Sequence, residues 1–163
     1  MKKDNHSQDA FSNTLIGRKV WFVYCGVTTG SVIDVHFTPL CLRDRPLSNP
    51  QINEQARLYQ GEVSLMVQSS WRLVFGDQIL AGSGDAFDDA TTVFAILNTL
   101  VDDQVIRVEH PMAPLLDCVV SFESGHSLHI FCDRRRSDLD DYTLFVDIDP
   151  TSVAGGRLMG DER

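Results

Sequence analysis

Residues 15–24 alternate loosely between apolar and polar and are rich in β-branched and aromatic side chains, and residues 31–37 do the same. With Gly26-Val27-Thr28-Thr29-Gly30 between them, they predict a β-hairpin. The pattern then dissolves over residues 39–60, where Arg43-Asp44-Arg45-Pro46 and Pro50 read as a long loop with one helical turn near residues 53–58. Alternation resumes at Val63, Leu65 and Val67, again over Trp71 to Phe75, and after Gly76-Asp77 over residues 78–81, which together predict a meander. Between residues 86 and 101 the period changes. Phe87, Ala90, Val93, Phe94, Leu97, Leu100 and Val101 fall at helical spacing, with Asp85 as the expected cap and Asp88 and Asp89 at the positive end of the dipole. Further strands are expected over residues 104–109, 116–122, 126–132 and 142–148, with Glu123-Ser124-Gly125 as a hairpin turn. The alternation pairs Phe122 with Leu128, Val120 with Ile130 and Cys118 with Cys132.

The first strands are echoed 85 residues on. Leu15, Val20 and Val23 answer to Leu100, Val105 and Val108, and Val35 and Phe37 answer to Val120 and Phe122. The expected fold is therefore α+β: mostly antiparallel sheet from two pseudo-repeated, strand-rich halves packed against one main helix. Residues 14–149 form the single domain on this reading, with a flexible arm at 1–13, the long loop at 39–60 and a flexible tail at 150–163.

Composition narrows the class. A chain of 163 residues buries enough surface to hold together without metal or disulfide, and its longest apolar runs are too short to span a bilayer. Asp4-Asn5-His6-Ser7-Gln8-Asp9 follows two lysines where a secretory signal needs an apolar stretch, so a cytoplasmic protein is expected. The four cysteines show no Cys-x-x-Cys pair and read as reduced, structural thiols. A net charge of −9 opposes phosphate backbones, so no nucleic acid is expected, and it favours basic partners.

Each candidate chemistry meets a physical objection. His126 and His129 stand near Cys132 and Asp133, but residues three apart on a strand face opposite ways, so no metal site is expected. Gly82-Ser83-Gly84 lacks the lysine and third glycine of a phosphate cradle and reads as a turn before the helix, whose acids would repel an anion. Arg134-Arg135-Arg136 is neutralised by Asp138, Asp140 and Asp141. Those three aspartates, together with Trp71 and Arg72, are the residue types expected at a protein interface: acids to steer a basic partner, and an aromatic–arginine pair to anchor it.

The order Leu15-x-Gly17-Arg18-x-Val20, Trp71-Arg72-Leu73, Gly82-Ser83-Gly84-Asp85, an amphipathic helix, Val105-x-x-Val108, Phe122-Glu123-Ser124-Gly125-x-x-Leu128 and a closing Tyr142 resembles a group of small bacterial proteins of unknown function. Some of these are encoded near toxin systems. The resemblance spans most of residues 15–146, the 39–60 stretch and the arginine run depart from it, and it carries over no catalytic residue. The net charge, the acidic run and Trp71 give a non-enzymatic, acidic protein-binding module as the expected function, and the resemblance adds an immunity-type inhibitor of a toxin, occluding a basic surface, as its expected form. No cofactor is expected. The alternative is a small-molecule-binding protein or enzyme with a pocket between sheet and helix, where Ser83, Asp85, His36 or His129 would converge. A homo-oligomer is a third class, to be recognised by an exposed apolar sheet face.

Overall fold

The computed structural model describes residues 4–25, 31–50, 52–111, 117–132, 140–146, 149–154 and 157–158, with side-chain surroundings from Ala10 to Val146, Asp140 apart. The elements are α1 (Asp4–Leu15), β1 (Val20–Cys25), β2 (Ile33–Leu42), α2 (Glu54–Leu58), β3 (Tyr59–Val67), β4 (Ser70–Phe75), β5 (Gln78–Gly82), α3 (Asp85–Asp88), α4 (Ala90–Leu97), a 3-10 turn (Asn98–Leu100), β6 (Val105–Glu109), β7 (Cys118–Phe122), β8 (His126–Phe131), β9 (Asp140–Val146), β10 (Asp149–Ala154) and β11 (Arg157–Leu158). The chain is α+β and mostly antiparallel sheet. None of the described helices is long and apolar enough to cross a membrane.

Two sheets share one core. The larger runs β1-β2-β3-β9-β10-β11 and the smaller β5-β4-β8-β7-β6. Alternation sends Ile33, Val35 and Phe37 of β2, Val63, Leu65 and Val67 of β3, Trp71 and Leu73 of β4, and Leu128 and Ile130 of β8 into the same buried cluster. Each sheet starts from a three-stranded meander of one half and is extended by strands from the other. β4 follows β3 in the chain but pairs with β8, and β9 follows β8 but pairs with β3. The expected meander through residues 61–81 therefore divides after Val67: the β4–β5 hairpin forms, whereas the 68–69 link carries the chain from one sheet to the other.

The two meanders share details of register. Val20 lies opposite Phe37 with a bulge before Phe22, and Val105 lies opposite Phe122 with a bulge before Arg107. Between the strand entries, Lys19 bridges Gln104, residues 85 apart. Around that bridge the hydrogen bonds come in matching pairs: Gly17 N donates to Val105 O and Asp102 N to Val20 O, each at 2.8 Å, while Val20 N donates to Asp103 O and Val105 N to Arg18 O, each at 2.9 Å. Gly17 and Asp102 both take positive φ, +86° and +69°, to turn into these bonds.

The helices differ from expectation. Residues 86–101 do not form one rod, because the chain breaks at Asp89 (φ −146°, ψ 75°). Asp89 caps α4 through a bond from Thr92 N, and Asp85 is not a cap but the first residue of α3, its carboxylate accepting from Gly82 N at 2.8 Å. The break turns Phe87 outward, 72% exposed, and leaves Ala86, Val93, Leu97 and Leu100 as the buried face. Nor is there a single main helix: α1 occupies much of the expected arm and buries Phe11 and Leu15, Phe11 meeting the Tyr142 ring edge-on at 5.6 Å. The C-terminal stretch read as a tail contributes β10, paired along β9, and β11.

The stretch read as a loop from residue 39 begins inside β2, which carries Pro39 between Phe37 and Leu40, the residues paired with β3 on either side of it. The register shift from Phe37 to Leu40 explains this, since a bulge leaves no ladder bond for the missing N–H to make. The long loop thus contracts to residues 43–53, and α2, capped by Asn53 accepting from Ala56 N, forms where one helical turn was read. The β7–β8 register also differs: Cys118 faces Ile130 and Val120 faces Leu128. Gly125, at φ +94°, closes a tighter turn by donating to Phe122 O, which shifts the pairing by two residues.

Candidate functional site

Alternation along β2 has a second consequence. With Ile33, Val35 and Phe37 inward, Asp34 and His36 point to the outer face of the six-stranded sheet. β1 places Phe22 opposite His36 and Tyr24 opposite Asp34, giving a two-by-two block of aromatic and polar side chains. Residues 43–53 fold back over this block, held by Arg43 N to Leu58 O at 2.9 Å and Leu47 N to Arg57 O at 3.0 Å. Between floor and roof lies a pocket of about 350 Å³ lined by Phe22, Tyr24, Asp34, His36, Arg43, Leu47, Ser48, Asn49 and Ile52.

The polar groups are set by specific bonds. His36, 6% exposed, accepts at Nδ1 from Gly61 N at 3.4 Å, which leaves the ring proton on Nε2, 3.1 Å from Asp34 Oδ2. Both ring nitrogens are thereby committed, and His36 orients Asp34 rather than offering a base. Arg43 donates from Nε to the carbonyls of Ala56 at 3.3 Å and Tyr59 at 3.0 Å, and from Nη1 to Gln60 Oε1 at 3.0 Å. Burial pulls its guanidinium below the ordinary value, against which the Asp34 and Cys41 charges push it back up.

The sequence named His36 but missed Asp34, Arg43 and the aromatic pair. The signal for Asp34 was available: an acid two residues from a histidine in an alternating strand shares its face. Of the residues expected to converge with His36, His129 lies on β8 of the other sheet, Ser83 in the turn after β5 and Asp85 at the start of α3. Ser83 Oγ accepts from Trp71 N at 3.4 Å, and His129 lies across from Arg72 on β8. The pocket sits between a sheet and a loop, not between sheet and helix.

The expected interface residues are corrected in part. Trp71 is 2% exposed, its ring in the shared core and its indole N–H donating to Ser31 O at 2.6 Å, because β4 alternation turns it inward with Leu73. Arg72 points out, half-buried, its guanidinium 4.8 Å from the Phe131 ring centre. Asp141 is fully buried: its carbonyl accepts from Gln68 N and Ser69 N, so it lies beneath the link between sheets and not on an acidic surface. Asp140 pairs with Ala154 at the β9–β10 edge, and Asp138 and the arginine run lie outside the described residues.

Two other clusters merit a chemical reading. Ser124, His126 and Asp103 meet at the β7–β8 turn, with Ser124 Oγ bonded to Asp103 Oδ2 and 2.6 Å from His126 Nδ1. In a hydrolytic triad the imidazole stands between serine and acid. Here the serine stands between the other two, and the acid also accepts from Ser124 N and Gln104 N, so the cluster ties the turn to the segment that leads into β6. Around His129, Ser127 Oγ lies 3.0 Å from Nε2, and burial first, then the Arg72 charge, hold the imidazole below its usual pKa. A histidine lowered on folding binds fewer protons than its unfolded counterpart, so its contribution is intact above about pH 6.5 and is lost as pH falls through the lowered value. His129→Gln is therefore expected to lose less thermal stability than the parent between pH 7.5 and 5.5, measured as the change in Tm; an equal loss in both proteins would exclude this role.

Cys25 and Cys118 are poor nucleophile candidates, since burial pushes both thiols up. Among the described residues, no group of three or more His, Cys, Asp or Glu side chains is placed to hold a metal ion. No protein-family model, curated protein or solved structure matches the chain.

Proposed function

We propose that this chain is a non-catalytic binding protein whose ligand occupies the pocket between the outer face of the six-stranded sheet and residues 43–53. The carrying observation is a difference between two otherwise similar meanders. β7 and β8 are joined by the three-residue turn 123–125, whereas β2 and β3 are joined by residues 43–58, and that added segment roofs the pocket. Where the first meander has Phe22 and Tyr24 on its outer face, the residues 85 positions later are Arg107 and Glu109, joined in an exposed ion pair at 2.6 Å. On this reading the halves are a pseudo-repeat about the Lys19–Gln104 bridge, and the first has diverged toward binding. The volume is at the low end of small-ligand sites.

A fragment set screened by two-dimensional amide NMR tests the reading. Binders are expected to shift the Phe22, Tyr24, Asp34, His36 and Arg43 amides; binders that map elsewhere, or none at all, would refute it.

A second reading is favoured by the exposed apolar side chains Leu40, Leu42 and Tyr59 next to Arg43, on a chain of net charge −9. Such a rim suits a basic protein partner, as for an immunity-type inhibitor of a toxin, with apolar contacts supplying affinity and the charge supplying steering.

A further inference from the structure

We propose that the pocket takes a neutral, planar ligand that carries a hydrogen-bond donor and acceptor side by side, the chemistry of a primary amide or of an amide-like heterocycle edge. The inference rests on the binding reading above and names its ligand class.

Shape sets the first condition. The floor is a sheet surface made of two cross-strand pairs, Phe22 with His36 and Tyr24 with Asp34, and the roof presents the apolar side chains of Leu47 and Ile52. Opposed flat and apolar walls suit a planar body stacked on an aromatic floor. Charge sets the second. One carboxylate and one guanidinium line the same small space, so a cation meets Arg43 and an anion meets Asp34, while a neutral dipolar group satisfies both.

Spare bonding capacity sets the third condition. Asp34 sets Oδ2 on His36 while Oδ1 is buried with no hydrogen-bond partner, so a turn of the carboxylate that keeps one oxygen on His36 leaves the other to accept from a ligand N–H. Arg43 spends Nε and Nη1 on the chain around it, which leaves Nη2 to donate to a ligand carbonyl. His36 adds no third polar contact, since both of its nitrogens are engaged. A donor-accepting acid beside an acceptor-seeking guanidinium describes the complement of –CO–NH2.

Benzamide, benzamidinium and benzoate share one ring and differ only in the head group, so they separate the possibilities. Titrated into the intact chain at neutral pH, benzamide is expected to move the pocket amides with a Kd of roughly 10 mM or tighter, the least that a nine-atom ligand of ordinary efficiency reaches. It should bind at least about five-fold tighter than either charged analogue. Asp34→Asn, nearly isosteric and checked for folding by its amide spectrum, should weaken benzamide about five- to ten-fold. Tighter binding of benzamidinium or benzoate, or an unchanged benzamide Kd in Asp34→Asn, would overturn the ligand class and leave the pocket reading standing. No pocket shift from any of the three, together with no pocket binder in the fragment set, would overturn both.

Discussion

Gly61→Ala is expected to destabilise the protein by at least about 3 kcal/mol and to lower Tm by roughly 6–12 °C. The reason is the close approach of β2 and β3 beside the bulge. A Cβ on Gly61 would meet Phe37 O at less than contact distance, with Phe37 N at 2.6 Å and Val63 O at 2.8 Å. All three are backbone atoms, which cannot rotate away as a side chain can, so β2 must part from β3 to relieve the Phe37 contacts and β3 itself must bend to relieve the one with Val63. Parting them also breaks the bond from Gly61 N to His36 Nδ1, which fixes the tautomer facing Asp34. The substitution is therefore expected to disturb the pocket floor as well as the fold. Thermal unfolding followed by circular dichroism reads the first effect, and the His36 side-chain NMR resonances read the second. A loss below about 1 kcal/mol would mean that the strands are not held at this separation.

Trp71→Ala is expected to cost about 3–5 kcal/mol, as for truncation of a large buried aromatic. Trp71 fills the space between the sheets and ties β4 to Ser31 through its indole N–H. Trp71→Phe keeps most of the ring but leaves the Ser31 carbonyl without that donor, and should cost only about 1–2 kcal/mol. Denaturant unfolding of the two variants gives the comparison. Near-parental stability of Trp71→Ala would return Trp71 to the surface role its residue type first implied.

Legibility in the sequence followed the range of the forces involved. Strand positions were legible because β2, β4 and β8 alternate cleanly, and alternation needs only nearest neighbours. The recurrence of Leu15, Val20, Val23, Val35 and Phe37 at residues 100, 105, 108, 120 and 122 pointed to two similar strand entries. The break at Asp89 was not legible, since an aspartate near a helix start reads equally well as first-turn acid or as cap. Nor could Gln68-Ser69-Ser70 announce that the chain changes sheets: a short polar link between two alternating strands has the same local signature as a hairpin. The pocket was legible by halves. Its floor follows from strand period, but its roof depends on where residues 43–53 dock, which contacts distant in sequence decide. Asp141 misled for the same reason, its run of acids reading as surface although the backbone beneath the sheet crossing holds it inside.

That crossing bears on how the chain is made. As residues emerge in order, β1, β2 and β3 can pair early, but β3 keeps an unpaired edge until residues 140–146 arrive, and β4 waits likewise for β8. Neither half can complete its sheet alone, so no foldable boundary lies between them, and a chain halted midway exposes strand edges open to intermolecular pairing. The interlock makes the two halves a single cooperative unit whose sheets close only once residues 140–146 have been made.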